Sequence, residues 1–397
     1  MYRIGKEEME AVARVIESGK LFRYHDPEGS EAALFEKELA EKLGATYAIG
    51  VTSGTAGLIC GLVGLGVGPG DEVIVPGYTF MASAIAVLAV GAIPVIAEVD
   101  ESLTLDPVDM EQKIGPRTKA VMPVHMCGLP CNMDAVMKVA QRRHLLVLED
   151  LCQADGGSYK GKRLGSIGHV GGMSFNFYKI MTSGEGGAVV TSDRVVYERA
   201  LIYHDGGCVF RPHAAEIGVR FFAGMNFRTN EIMAAILRVQ LSRLDDMLDR
   251  MRAQKKRFVE KLSGHPNLRF IPYHDLDGDC GTTVFFQFDA EEQARAFAGV
   301  LNEEGVGASL PIDSGRHVYC NWEPVMEKQG GHHAFLDPFR MSENRGCRMD
   351  YTKDMCPQTL NVLARTVGTS THPDWDEAEV DRRIGICARA AERMSRE

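Results

Sequence analysis

Between residues 47 and 150 the chain repeats one unit: a short apolar run ending in small or turn-forming residues, a stretch with helical spacing, then another apolar run. Tyr47–Val51 leads into Thr52-Ser53-Gly54-Thr55-Ala56-Gly57, after which Leu58, Leu62 and Leu65 recur at helical intervals. Residues 71–76 (DEVIVP) end in Gly77-Tyr78-Thr79-Phe80 and precede an apolar helix over 82–90. Further strands are expected over 93–99, 120–125 and 145–150, with a helix over Met133–Arg143. Apolar strands alternating with helices make a mostly parallel sheet covered on both faces, so the fold class is α/β. Such sheets bind ligands beyond the carboxyl ends of their strands. Phe80, His125, Asp150 and the turn at 53–55 all fall at such ends and are expected to converge on one cleft.

The flanking segments extend this frame. Helical periodicity covers 6–18 and 31–43, with Ser30 placed to cap the second helix. A long helix is expected from Asn230 to about Arg257, a natural bridge between domains. Beyond it, strands over 269–272 and 282–288 and helices over 290–304 and 376–391 read as α+β. A chain of 397 residues is too long for one small core. It divides as a large domain over 1–250 and a smaller C-terminal domain over 251–397, with the N-terminal helix free to pack on the smaller one. Residues 313–345 hold Arg316, His317, Tyr319, Trp322, His332 and His333 and are expected to form a substrate-facing loop, the alternative being a surface insertion.

Charge narrows the function. The 44 basic and 54 acidic side chains give a net charge of −10 without a basic block. Nucleic acid and anionic membranes are therefore not expected as partners. The N-terminus has no apolar signal core and no run approaches a membrane span, so a cytoplasmic enzyme of small molecules is expected. The ten cysteines follow no disulfide spacing. His125, Cys127 and Cys131 form the nearest approach to a metal-ligand cluster, but their spacing fits no zinc pattern, and cysteines packed as small hydrophobes are the simpler reading. No Walker lysine or dinucleotide fingerprint is present. Gly64-Leu65-Gly66-Val67-Gly68-Pro69 ends a helix instead of opening one.

One lysine stands apart. Lys179 lies between an apolar run at 172–177 and another at Gly187–Thr191, followed at once by Gly184-Glu185-Gly186-Gly187. Held in a tight connection between two strands, its amine would be partly desolvated and its pKa lowered, as a Schiff-base nucleophile requires. A solvated hairpin lysine is the bland alternative. Its neighbours favour the reactive reading, because they provide what pyridoxal phosphate needs. Asp150 can face the pyridine nitrogen, Phe80 can stack on the ring, and Gln153 can approach the other face or the ring hydroxyl. The helix start at Gly54 and Thr55, with the Ser174 hydroxyl, offers donors to a phosphate. Singly these residues also read as a helix cap, a core ring and a strand hydroxyl.

The segments SGTAG (53–57), DEVIVPGYTF (71–80), EDLCQADGGSYKGKRLGSIG (149–168), SFNFYKIMTSGEGGAVVT (174–191) and GMNFRTNEIMAA (224–235) resemble, in register, the DegT/DnrJ/EryC1/StrS family of pyridoxal-phosphate sugar aminotransferases. The resemblance spans roughly residues 5–260. It implies the type I aminotransferase fold, a mostly parallel mixed sheet in a large domain beside a smaller α+β domain. It also implies that Lys179 binds the cofactor as a Schiff base, that Asp150 pairs with the pyridine nitrogen and that Ser174 holds phosphate. Asn226 would reach the phosphate of a neighbouring subunit's cofactor, in a homodimer with shared sites. Relatives that replace the lysine by histidine are dehydratases; this chain keeps lysine. FRYHD (22–26) and IGPRTKAVMPVHMCG (114–128) most resemble 8-amino-3,8-dideoxy-octulosonate transaminases of lipopolysaccharide sugar synthesis, which makes 3,8-dideoxy-8-oxo-octulosonate one expected acceptor. A nucleotide-linked keto-sugar or cyclitol is the other, with glutamate as donor by analogy. His125, Arg228, Arg316 and His317 are the candidate substrate-binding residues. Pyridoxal-phosphate dehydration and a non-catalytic regulator are the competing classes.

Overall fold

A computed structural model describes residues 3–26, 28–209, 214 and 216–394. Two N-terminal helices, α1 (Lys6–Ser18) and α2 (Glu31–Leu43), precede the sheet. The Ser30 hydroxyl accepts the Ala33 N–H, the expected cap. The first half of the sheet unit follows as β1 (Tyr47–Val51), α3 (Gly54–Gly64), β2 (Glu72–Pro76), α4 (Ala82–Ala89), β3 (Ile93–Ala97), α5 (Pro107–Gln112), β4 (Thr118–Val121), α6 (Met133–Arg143) and β5 (Leu146–Asp150). A two-residue hairpin, β6 (Ser158–Tyr159) and β7 (Lys162–Arg163), leads to β8 (Val170–Ser174), β9 (Gly187–Thr191) and α7 (Arg194–His204).

Seven strands form one sheet in the order β1-β9-β8-β5-β4-β2-β3. The pairs from β8 to β3 are parallel, while β9 runs antiparallel to both β1 and β8. The sheet is therefore mixed and mostly parallel. Each strand is apolar on both faces because each face is covered. Val73 and Val75 point into the core shared with α3, α4 and α7, whereas Ile74 between them points into the core shared with α2, α6 and α8.

The 32-residue helix α8 (Glu231–Leu262), capped by Asn230, is about 48 Å long at 1.5 Å per residue. Leu237, Leu241, Leu244, Leu248 and Met251 pack on the large sheet, and Phe258 and Leu262 pack in a separate core. That core belongs to a four-stranded antiparallel sheet in the order β10-β11-β13-β12: β10 (Arg269–Phe270), β11 (Thr283–Gln287), β12 (Ala308–Ser309) and β13 (Thr366–Ser370). Helices α9 (Glu291–Glu303) and α12 (Glu377–Met394) cover it, and α10 (Glu323–Met326) and α11 (Pro357–Ala364) lie in the segment joining β12 to β13. Helix α1 packs on α8 through Ala11, Val15 and Ala235, and Arg3 Nε donates to Asp374 at 2.6 Å, so the N-terminal segment touches both the long helix and the stretch between β13 and α12.

Residues 311–345 form short helical turns that pack back on the large sheet. Tyr319 and Trp322 are fully buried in its core, which corrects the expectation that they face substrate; His332 and His333 lie on the surface. Aromatic rings of this size reward burial more than any loop position could.

Candidate active site

Seven of the eight residues expected to hold a cofactor line a single cavity of about 650 Å³ at the carboxyl ends of the strands: Gly54, Thr55, Phe80, Asp150, Gln153, Ser174 and Lys179. The eighth, Asn226, is exposed and lies outside its own chain's cavity.

Asp150 ends β5 and is 3% exposed. Its Oδ2 accepts the Ser83 hydroxyl at 2.7 Å, and its Oδ1 accepts the Cys152 N–H at 3.0 Å. Because the single Ser83 proton goes to the carboxylate, the Thr79 hydroxyl donates to Ser83 Oγ at 2.7 Å. A buried carboxyl group needs such partners to offset the loss of water around it. Ser83 is a site residue that strand-end reasoning missed. Its signal was its position in the first turn of α4, one helical step after Phe80.

At the other end of the cavity stands the N-terminus of α3. Ser53 Oγ accepts the Ala56 N–H and Ser53 O accepts the Gly57 N–H, leaving the first N–H groups of the helix facing the cavity. Gly54 has room for nothing larger. A Cβ there would sit 2.6 Å from Ser174 Cβ and 3.0 Å from both Ser174 Oγ and Cys152 Sγ. The missing side chain thus brings the Ser174 hydroxyl against the helix start, a built anion cradle.

Lys179 sits in the loop between the antiparallel strands β8 and β9. The Phe177 N–H donates to Gly184 O at 2.9 Å, and Gly184 turns the chain at φ +87°. Strand β8 stops at Ser174, three residues before the expected end, because the chain must turn to present this loop. The lysine is half-buried at the cavity wall. Its charge still reaches the lining. Burial pushes the Cys127 thiol up to about 11 and raises Cys152 well above the usual thiol range, and the Lys179 ammonium only partly opposes both. Both stay protonated.

The opposite wall is made by chain pairing that no local pattern announces. The Thr79 N–H donates to His317 O at 2.9 Å, the Met81 N–H to Arg316 O at 3.0 Å and the Tyr319 N–H to Gly77 O at 3.0 Å. This pairing lays the His317 ring beside Phe80, with centroids 5.3 Å apart. Phe80 remains 45% exposed, its ring open to the cavity. Burial first, and the Lys179 charge in addition, lower the pKa of His317, so it is neutral near neutral pH.

The other proposed substrate contacts are not in the cavity. His125 is fully buried: its Nδ1 accepts the Cys131 N–H at 3.1 Å, so its Nε2 carries the proton given to Glu149 at 3.2 Å. Glu149 also accepts the N–H groups of Gly165, Ile167 and Gly168. The pair braces the loop before β8; an imidazole with both nitrogens bonded inside the core cannot meet substrate. Arg316 points outward toward Glu323, and its backbone carbonyl carries its role. Arg228 is held by Asp205 at 2.7 Å.

Comparison with known proteins gives the family. The model of the DegT/DnrJ/EryC1/StrS aminotransferase family matches residues 2–330. The dTDP-3-amino-3,6-dideoxy-alpha-D-galactopyranose transaminase of Aneurinibacillus thermoaerophilus is 38% identical over 82% of this chain and 88% of that protein. The L-glutamine:2-deoxy-scyllo-inosose aminotransferase of Micromonospora echinospora is 33% identical over 78% of each. The crystal structure of 3-amino-5-hydroxybenzoic acid synthase superposes with a TM-score of 0.79 at 30% identity, over 99% of this chain and 98% of that one. With a mostly parallel mixed sheet of fold type I and this site, the chain belongs to the DegT/DnrJ/EryC1/StrS family and is a pyridoxal-phosphate-dependent sugar or cyclitol aminotransferase.

Proposed function

We propose that the enzyme moves an amino group from an amino acid, glutamate, to the carbonyl of a keto- or aldehyde-sugar or a cyclitol in two half-reactions, with Lys179 as the amine that binds pyridoxal phosphate covalently. The observation that carries this reading is the sharing of one cavity by Lys179, the buried Asp150 carboxylate and the cradle of Gly54 and Ser174. These groups fit the cofactor. The α3 N–H groups and the Ser174 hydroxyl would hold its phosphate, Asp150 would keep a proton on its ring nitrogen, and Phe80 offers an open ring face. Bound there, the cofactor supplies an electron sink for the substrate carbon. The Lys179 amine would be the base that takes and returns the proton on that carbon.

The same reading divides the chain near residue 250. Residues before it provide the cavity floor, and Thr282, Thr283 and His317 beyond it provide the facing wall. The exposed Asn226 supports a homodimer in which it serves the neighbouring site. From the sequence resemblance, 3,8-dideoxy-8-oxo-octulosonate is one acceptor candidate; a nucleotide-linked sugar or a cyclitol is another.

Lys179→Ala tests the proposal. The purified variant should keep its melting temperature and lose both the near-visible absorbance of lysine-bound cofactor and turnover; a variant that kept colour and turnover would overturn it. Release of one keto acid per glutamate consumed separates transamination from dehydration.

A further inference from the structure

At the cavity wall the chain makes a turn that its own residues disfavour. Cys127 has φ +54° and ψ +28°, the left-handed region that a residue with a Cβ avoids, and Gly128 follows at φ +81°. Two hydrogen bonds hold the cysteine there. The Thr282 hydroxyl donates to Cys127 O at 2.7 Å, and the Cys127 N–H donates to Gln153 Oε1 at 3.2 Å. The Cys280 N–H also donates to Gly128 O at 3.0 Å, so the approach to β11 runs along the turn. Because a backbone N–H can only donate, the contact fixes which end of the Gln153 amide is which: the oxygen is spent on Cys127 and the NH₂ is left over. No hydrogen bond among the described residues engages that NH₂, it is not fully buried, and Gln153 lines the cavity with Asp150, Ser174 and Lys179.

A strained residue persists where its surroundings hold it, and here what the strain secures is the orientation of an amide. We propose that Thr282 and Cys127 are positioning residues for the cofactor: across the two domains proposed above they hold Gln153 as a donor, its NH₂ turned to the ring hydroxyl oxygen of pyridoxal phosphate. The proposal rests on the aminotransferase reading above. Without the Thr282 hydroxyl, Cys127 is free to relax to negative φ, its N–H turns away, and the Gln153 amide can present either end. A donor on the ring oxygen draws off negative charge that otherwise holds a proton on the Lys179 nitrogen, so that nitrogen gives up its proton at lower pH. The other titratable groups around Lys179 are Asp150, Asp155, Tyr178, Glu185, His317 and the Cys152 thiol. All of them stay in place when Thr282 or Gln153 is substituted, so a change in that pH reports the donor to the ring oxygen.

The test uses the holoenzyme and follows, by absorbance, the pH midpoint at which the near-visible band of lysine-bound cofactor changes. Gln153→Met keeps the length of the side chain, removes the donor and should raise the midpoint by about one unit, the size of one hydrogen bond to a charged group. Thr282→Val should raise it by less, and Thr282→Ser, which keeps the hydroxyl, should match wild type. Because Thr282 acts only through the amide, the double variant Thr282→Val with Gln153→Met should have the midpoint of Gln153→Met alone. Thr282→Ala is measured beside Thr282→Val, and the result is read from whichever is folded by circular dichroism. An unmoved midpoint in Gln153→Met or in the folded Thr282 variant, a Thr282→Ser midpoint that follows Thr282→Val, or shifts that add in the double variant would overturn the proposal. If wild-type enzyme given pyridoxal phosphate develops no lysine-bound band at all, the aminotransferase reading itself falls.

Discussion

The Ser83 hydroxyl donates to Asp150 Oδ2 at 2.7 Å, joining the first turn of α4 to the end of β5 beneath the cavity. Of the two groups that donate to the carboxylate among the described residues, Ser83→Ala removes one and the Cys152 N–H remains. A hydrogen bond to a charged group contributes about 1.5–3 kcal/mol. The variant should bind pyridoxal phosphate at least about tenfold more weakly in a fluorescence titration, and Asp150→Asn more weakly still. Unchanged affinity in both would remove Asp150 from the site.

Gly54→Ala asks whether the cradle is as tight as its geometry says. The new methyl would press on Ser174 Cβ at 2.6 Å, and overpacking of this kind costs about 1–3 kcal/mol. Melting temperature and retained cofactor should both fall. Adding Ser174→Gly removes two of the three opposing atoms, leaving Cys152 Sγ, and should recover part of the melting temperature, but not the cofactor, since the hydroxyl is gone.

Glu149 and His125 should prove structural. Glu149→Ala strands the N–H groups of Gly165, Ile167 and Gly168 together with the His125 Nε2 proton inside the core. The expected cost is about 3–5 kcal/mol, seen as a large drop in the denaturant midpoint. His125→Asn should be milder, and the folded fraction should retain wild-type KM for acceptor. A selective rise in that KM would return His125 to the substrate site.

For His317 the pH dependence has a definite sign. Its pKa is lowered in the folded protein, chiefly by burial, so at pH values below the unfolded pKa of about 6.5 the unfolded chain takes up a proton that the folded chain does not. More protons on the unfolded state means that stability falls as pH drops through about 6.5 toward the folded value. His317→Gln removes this contribution. The difference in melting temperature between wild type and variant should therefore change across pH 7 to 5, with wild type losing more on acidification; parallel curves would contradict it.

Much of this was legible because it rests on local rules. Alternation of apolar runs with helical spacing placed β1, β2, β5 and α6 to within a residue or two, and the Ser30 cap followed from helix-end chemistry. Strand-end position brought Phe80, Asp150 and Gly54 to one cavity. The same rule failed for His125, because β4 ends at Val121 and the chain then turns into the core. It missed Ser83 because a helix residue becomes a partner of Asp150 only once β2 and β5 lie in the same sheet.

The residues that chemistry demands, an amine at 179, a carboxylate at 150 and a side-chain-free helix start at 54, are written in the order of the chain, since each is set by a strand end or a helix start a few residues away. What the order could not decide is distance across it. Pairing of 77–81 with 316–319 brings His317 beside Phe80, because contacts between segments more than two hundred residues apart exist only after the chain between them has folded.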